Sequence, residues 1–171
     1  TATRVSFAVA AVGACPRGGD RRLFVFDDPG PPRSQRTKPL MPSSLRARIL
    51  VLSDAASRGE REDRSGPAVQ AVLEGQSWSV LSREILPDEY ELIRARLEAL
   101  TDVDDCEGIF TTGGTGLGPR DVTPEATRAV IERDVPGLAE LMRAEGIKKT
   151  RTAALSRGIV GVCKRKVIVN L

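Results

Sequence analysis

Fifteen consecutive residues concentrate much of the chemistry this chain can offer. The run Thr111-Thr-Gly-Gly-Thr-Gly-Leu-Gly-Pro-Arg-Asp121-Val-Thr-Pro-Glu125 combines four glycines, four threonine hydroxyls, a guanidinium and two carboxylates. Glycines directly after a strand let backbone N–H groups approach an anion closely, and hydroxyls add donors. The N-terminus of a following helix adds positive partial charge. The run is not a Walker-type phosphate loop, because no Gly-Lys-Ser/Thr follows, and it lacks the Gly-x-Gly-x-x-Gly spacing of dinucleotide sites. The alternative is a tight glycine-rich turn without a ligand. A turn needs neither the Arg120-Asp121 pair nor the hydroxyl of Thr123, and both favour an anion site.

Asp54, Asp63, Asp88 and Asp121 are the candidate oxygen ligands for a hard cation such as Mg²⁺, which would bring nucleotide phosphates with it. Each also has an ordinary reading: Asp88 as a helix cap, Asp63 as a loop residue in Glu62-Asp-Arg-Ser65, Asp121 as the partner of Arg120. The chain has no histidine. That excludes Ser-His-Asp and Cys-His nucleophiles, imidazole acid–base chemistry and every zinc site that uses histidine. Cys15, Cys106 and Cys163 lie far apart with no Cys-x-x-Cys, so a disulfide framework is not expected and a reducing compartment fits.

The elements that must position these residues follow from patterning. Ala47–Ser53 is a short apolar run and reads as a buried strand, followed by a polar loop over 54–65. Pro67 opens a helix that ends near Gly75. Trp78–Ile85 alternates as a second strand. Pro87-Asp88-Glu89 predicts a helix with Asp88 as its N-cap, and Tyr90, Ile93, Leu97 and Leu100 give that helix one apolar face. Gly108–Thr112 is a third strand. Thr123-Pro124-Glu125 predicts an N-cap, N1 and acidic first turn for a helix to about Arg133, and a further short helix covers Leu138–Glu145. Val167–Leu171 is the last strand.

This alternation predicts an α/β fold, a three-layer doubly wound, mostly parallel sheet with helices on both faces. In such folds ligands bind beyond the carboxyl ends of the strands, where Ser53-Asp54, Pro87-Asp88, Gly113–Gly118 and Asn170 all fall. The acidic run 102–107 is expected to be a solvated turn. Lys164-Arg165-Lys166 reads either as a phosphate contact or as a solvent-facing edge that discourages aggregation.

Aromatic residues are only 4% of the 171, so the core must be aliphatic. The net charge of +3 is unevenly spread. Residues 1–46 carry eight basic against three acidic residues, and the remainder 18 against 20, so a general nucleic-acid surface is not expected on the folded part. Residues 1–46 also hold six of the eleven prolines and read as a disordered or artefactual leader, or else as a targeting peptide. The apolar stretch from Val5 to Ala14 is about half the length needed to span a bilayer, and no membrane segment is expected elsewhere.

The segment Gly113–Thr127 strongly resembles the signature of molybdopterin adenylyltransferases, the G domains of molybdenum-cofactor biosynthesis. These occur alone in bacteria and fused in plant and animal proteins such as gephyrin. Ile49-Leu-Val-Leu-Ser-Asp54 with Gly59, Asp63-Arg-Ser-Gly-Pro67, Pro87-Asp88-Glu89, Ala154-Leu-Ser-Arg157 with Gly161, and Ile168-Val-Asn170 resemble the flanking motifs, so the likeness runs from Ile49 to Leu171. It implies a Mog/MoaB-like domain over 47–171, usually a cytoplasmic homotrimer. The implied reaction is Mg²⁺-dependent: the terminal phosphate of molybdopterin attacks the α-phosphate of ATP, yielding adenylyl-molybdopterin and pyrophosphate.

By position, the resemblance implies that Gly113, Gly114, Thr115 and Gly116 cradle a phosphate. Asp88 and Asp121 fall on its critical aspartates, as catalytic and metal-binding residues. Ser53, Asp54, Asp63, Ser65, Thr123, Ser156 and Asn170 would contact substrate. Two departures stand out. The family's Pro-Gly-x-Pro and long C-terminal helix have no counterpart, which leads to the expectation that the domain is truncated there. Cys163 stands where the family has an arginine, and its loss near an anionic ligand would remove a charge-assisted hydrogen bond. These departures motivate a second function, a pterin-binding or scaffolding module with the pocket but without turnover. A molybdate-inserting E-type domain is a third reading, or an E-type domain as a fused partner, but Thr-Pro-Glu-Ala-Thr127 looks like the G type.

Overall fold

The computed structural model describes residues 45–103 and 105–171. In chain order they form β1 (Leu45–Leu52), a single helical turn α1 (Asp54–Ser57), α2 (Ser65–Gly75), β2 (Trp78–Leu86), α3 (Tyr90–Asp102) and β3 (Gly108–Thr112). There follow α4 (Thr123–Arg128), β4 (Arg133–Asp134), α5 (Pro136–Ile147), a 3-10 turn (Arg151–Leu155), β5 (Val160–Cys163) and β6 (Lys166–Asn170). The expected leader lies outside the described residues, apart from Leu45 and Arg46, which already belong to β1.

The six strands make one sheet in the order β2-β1-β3-β6-β5-β4. The first four are mutually parallel, and β5 runs antiparallel to both β6 and β4. Alternation along the strands sends side chains to opposite faces. Ile49, Val51, Phe110 and Val169 meet Val69 and Leu73 of α2 and Ala139 and Met142 of α5. Leu50, Leu52, Ile109 and Ile168 meet Ile93, Leu97 and Leu100 of α3 and Ala126 of α4. Helices therefore cover both faces, which is the expected three-layer, mostly parallel α/β arrangement. Trp78 and Phe110 pack edge to face, 5.5 Å between centroids, in the otherwise aliphatic first core.

Several local expectations are corrected. The helix from Thr123 ends at Arg128 rather than near Arg133, because the following segment turns to pair with β5: Glu132 and Val135 donate their N–H groups to Val162 and Val160. Helix α5 begins at Pro136, its proline at the first position where no N–H is needed. Glu89, not Asp88, occupies the N-cap position of α3 and makes no side-chain cap. β6 lies inside the sheet, not at an edge. Lys166 is consequently buried, donating to the Thr101 carbonyl at 3.1 Å, while Lys164 pairs with Asp102. The acidic turn is anchored rather than freely solvated: Asp105 pairs with Arg48, Cys106 is buried, and Glu107 accepts from the Arg46 amide at 2.7 Å.

Candidate active site

Strand β1 leads to β2 on one side, while β3, its neighbour on the other, leads on to β4 at the far edge, so the chain leaves β1 and β3 in opposite directions. The crevice outside the carboxyl ends of two such strands is where open α/β sheets bind ligands. Ser53 follows β1 directly, donates its N–H to the Leu86 carbonyl at 2.9 Å, and caps α1 by accepting from Ala56 at 3.3 Å. Asp54 comes next, and Asp88 follows the end of β2. Each carboxylate accepts the other's backbone N–H, Asp54 to Asp88 Oδ2 at 2.9 Å and Asp88 to Asp54 Oδ1 at 3.0 Å.

Asp54 also receives a two-pronged contact from Arg120, at 3.0 and 2.9 Å. This guanidinium holds the Asp54 carboxyl below its ordinary range. The sequence-based pairing of Arg120 with Asp121 is therefore replaced by a pairing with Asp54, 66 residues away. Asp88 is moved the other way: burial pushes its carboxyl up, and the nearby charges of Asp54 and Asp121 push in the same direction. Its Oδ1 is buried and has no hydrogen-bond partner. A buried carboxylate oxygen left in this state is a receptive position for a proton or a cation.

The glycine run leaves β3 alongside this pair. Gly113 and Gly114 take φ of +105° and +62°, values that L side chains rarely adopt. A Cβ on Gly113 would overlap the Leu52 carbonyl oxygen, and one on Gly114 would meet the Thr123 hydroxyl and Asp88 Oδ1. The carbonyls of the loop's first four residues are all engaged by the protein. Gly113 accepts from the Thr123 hydroxyl at 3.0 Å, Gly114 from the Thr123 N–H at 3.1 Å, Thr115 from the Arg157 N–H at 2.9 Å and Gly116 from Arg157 Nε at 2.7 Å. The N–H groups of Thr115, Gly116 and Leu117 donate to none of the described residues. Carbonyls turned into the protein and amides left unpaired are the pattern on which anion-binding concavities are built. Asp121 closes the loop, accepting the Gly118 N–H on Oδ2 at 2.7 Å.

A groove of about 460 Å³ opens next to Ser53 and is lined also by Val51, Arg61, Asp63 and Ser65. Asp63 Oδ1 accepts from the N–H groups of Ser65 and Gly66, both at 2.9 Å, and from the Ser65 hydroxyl at 3.1 Å, thereby tying down the start of α2. Its Oδ2 is buried without a hydrogen bond, 3.9 Å from Arg83 Nε.

The structure thus brings Asp54, Asp88, Gly113, Gly114 and Thr123 into one interlocked cluster, with Thr115, Gly116 and Asp121 on the adjoining loop and Ser53, Asp63 and Ser65 along the groove. Ser156 and Asn170 take a different position. Ser156 Oγ accepts from Gly158 N–H at 3.3 Å. Asn170 is buried, donating to the hydroxyls of Thr111 and Thr127 at 3.0 and 2.9 Å and accepting from Ile159 at 3.3 Å. Thr123 is likewise fully buried. Cys163 does not neighbour the anion loop. It ends an antiparallel strand opposite Lys166, at the amino end of β6, and packs into the second core. Arg157 and the Asp54–Arg120 contact are the features that patterning alone missed; the recurrence of arginine within otherwise polar motifs was the available signal.

Asp88 and Asp121 suit a divalent cation only in part. No group of three or more carboxylate or cysteine side chains that could hold a metal stands together among the described residues. The oxygens Asp88 Oδ1 and Asp121 Oδ1 take no protein hydrogen bond, and Mg²⁺ is commonly held by one or two carboxylates with substrate phosphates completing its shell. The donor set therefore fits a cation that arrives with a nucleotide. No helix among the described residues is long and apolar enough to cross a membrane.

The family model described as "Probable molybdopterin binding domain" matches residues 48–171. The molybdopterin adenylyltransferase of Helicobacter pylori strain J99 is 43% identical over 125 residues, covering 72% of this chain and 71% of the relative. That of Escherichia coli K12 is 38% identical over 131 residues, covering 75% and 67%. Among solved structures, the molybdopterin biosynthesis enzyme MoaB of Thermus thermophilus superposes with a TM-score of 0.70 at 50% identity, covering 74% of this chain and 80% of that one. With the glycine loop and its carboxylates in place at the switch point of this sheet, the chain belongs to the Mog/MoaB-like, molybdopterin-binding family of molybdenum-cofactor biosynthesis.

Proposed function

We propose that this chain adenylylates molybdopterin with ATP, releasing pyrophosphate. The observation that carries the reading is the juxtaposition of unpaired loop amides at Thr115–Leu117 with a partnerless buried carboxylate oxygen on Asp88. Phosphoryl-type transfer depends chiefly on positioning and charge neutralisation, so a site without histidine or a covalent nucleophile suffices. The amides of Thr115 and Gly116 hold phosphate oxygens, and the exposed Arg120 supplies a guanidinium at the rim. Asp88 and Asp121 would hold a Mg²⁺ that neutralises charge on the phosphate oxygens. The groove by Ser53, Asp63 and Ser65 supplies room for a second substrate beside the loop.

The likeness to named adenylyltransferases supports the same reaction. The placement of Cys163 removes one motive for a pterin-binding module without turnover, because that residue does not neighbour the anion loop. A cytoplasmic homotrimer belongs to the same proposal, and its mass in solution tests the trimer. The reaction itself is tested by incubating the chain with molybdopterin, ATP and Mg²⁺ and searching for adenylylated pterin by mass spectrometry. Binding of molybdopterin without that product would replace the enzyme by the binding module.

A further inference from the structure

The glycine loop is not held by its own segment alone. Three of its backbone carbonyls, those of Thr115, Gly116 and Asp121, are taken by a single residue some forty positions later in the chain. Arg157 donates its backbone N–H to Thr115 at 2.9 Å and Nε to Gly116 at 2.7 Å, and its two remaining guanidinium nitrogens reach the Asp121 carbonyl and the Glu125 carboxylate. One planar fork thus joins the two ends of the loop to each other and to the first turn of α4. Arg157 is itself fixed from behind. It follows the 3-10 turn at Arg151–Leu155, and the next carbonyl, that of Gly158, accepts from Arg143 of α5 at 3.0 Å.

Resting on the reading proposed above, we infer that Arg157 is the positioning residue of the phosphate-binding loop. It touches backbone and carboxylate rather than substrate, and it acts by direction. By drawing the carbonyls of Thr115 and Gly116 to one side it turns the amides across those two peptide planes, Gly116 and Leu117, the other way, free for an anion. A lysine at this position keeps the positive charge near Glu125 but is a single point donor, so it cannot hold Gly116, Asp121 and Glu125 together. Orientation, more than charge, is what the arginine contributes.

Hydrogen exchange on the ligand-free protein tests this without reference to turnover. The amides of Gly118, Asp121 and Val122 form the loop's internal hydrogen bonds. In Arg157→Lys and Arg157→Ala these amides are expected to exchange roughly tenfold faster or more, while β1, β3 and β6 keep their protection. Unchanged loop exchange overturns the inference, as does acceleration spread evenly over the sheet, which would show general destabilisation. Glu125→Ala removes one of the four contacts and is expected to move the same amides by less.

In the adenylylation assay, Arg157→Lys is expected to lower kcat/KM for ATP by roughly tenfold or more at an unchanged melting temperature. Added guanidinium is expected to restore part of the rate of Arg157→Ala. Variants with the wild-type kcat/KM would overturn the role. If the wild-type chain itself fails to adenylylate molybdopterin, the proposed reaction fails and the exchange comparison still decides the role of Arg157.

Discussion

Asp54 and Asp88 hold each other's backbone: each carboxylate accepts the other's N–H, at 2.9 and 3.0 Å, across the ends of β1 and β2. The exchange locks two strand ends together and leaves the two carboxyls in unequal states. Arg120 compensates Asp54, while Asp88 is half-buried with one buried oxygen unpartnered. One carboxylate is thereby neutralised by the protein and the other is kept available.

This inequality has a pH signature. Burial raises the Asp88 carboxyl in the folded state, so as pH climbs past the ordinary carboxylate value the unfolded chain loses its proton first and stability falls. Asp54 works oppositely: its lowered carboxyl contributes stability that is present above the ordinary value and is lost as pH falls. Melting temperatures from about pH 2 to pH 7 should therefore show Asp54→Asn losing ground to the wild type as pH rises to the ordinary carboxylate value, and Asp88→Asn gaining on it as pH rises beyond that value. Parallel curves for all three proteins would contradict the assignment.

Asp121→Asn should abolish adenylyl transfer while changing stability by less than about 1 kcal/mol, because the asparagine oxygen can still accept the Gly118 N–H. Initial rates of pyrophosphate release and a thermal melt check both halves. A variant with the wild-type rate removes Asp121 from the mechanism.

Gly113→Ala should cost about 2 kcal/mol or more, since it places a side chain at φ +105° and drives it into the Leu52 carbonyl. Gly137→Ala in α5 meets nothing within 4 Å and should stabilise by about 0.5 kcal/mol. Urea unfolding of the two variants gives the comparison, and similar midpoints would contradict it.

Asn170→Ala should destabilise by about 2–4 kcal/mol, because it strands the hydroxyls of Thr111 and Thr127 and the Ile159 N–H in a buried setting. Any loss of activity in this variant should track its lost stability, measured by denaturation at the assay temperature. Full stability with lost activity would instead place Asn170 in contact with substrate.

What patterning made visible was what is local. The apolar runs of β1 and β3 and the helical spacing of Ile93, Leu97 and Leu100 place the core directly, and the glycine run marks the site. Asp88 reads as a cap because the preference of aspartate near a helix start is local, whereas its partner in the fold lies 34 residues earlier. Arg120 reads as the partner of its sequence neighbour for the same reason, and the fold pairs it with Asp54. The β5–β6 hairpin escaped because its strands are short and its turn uses Lys164 at φ +53° instead of the usual glycine or asparagine. Lys166 looked like a solvent-facing charge, and only the strand order puts it inside.

The most direct measurement is a titration of this chain with molybdopterin, followed by ATP and Mg²⁺, with pyrophosphate monitored continuously. The account predicts saturable pterin binding, then pyrophosphate release that requires molybdopterin and is absent from Asp121→Asn. Pterin binding with no release above the Asp121→Asn background would contradict it.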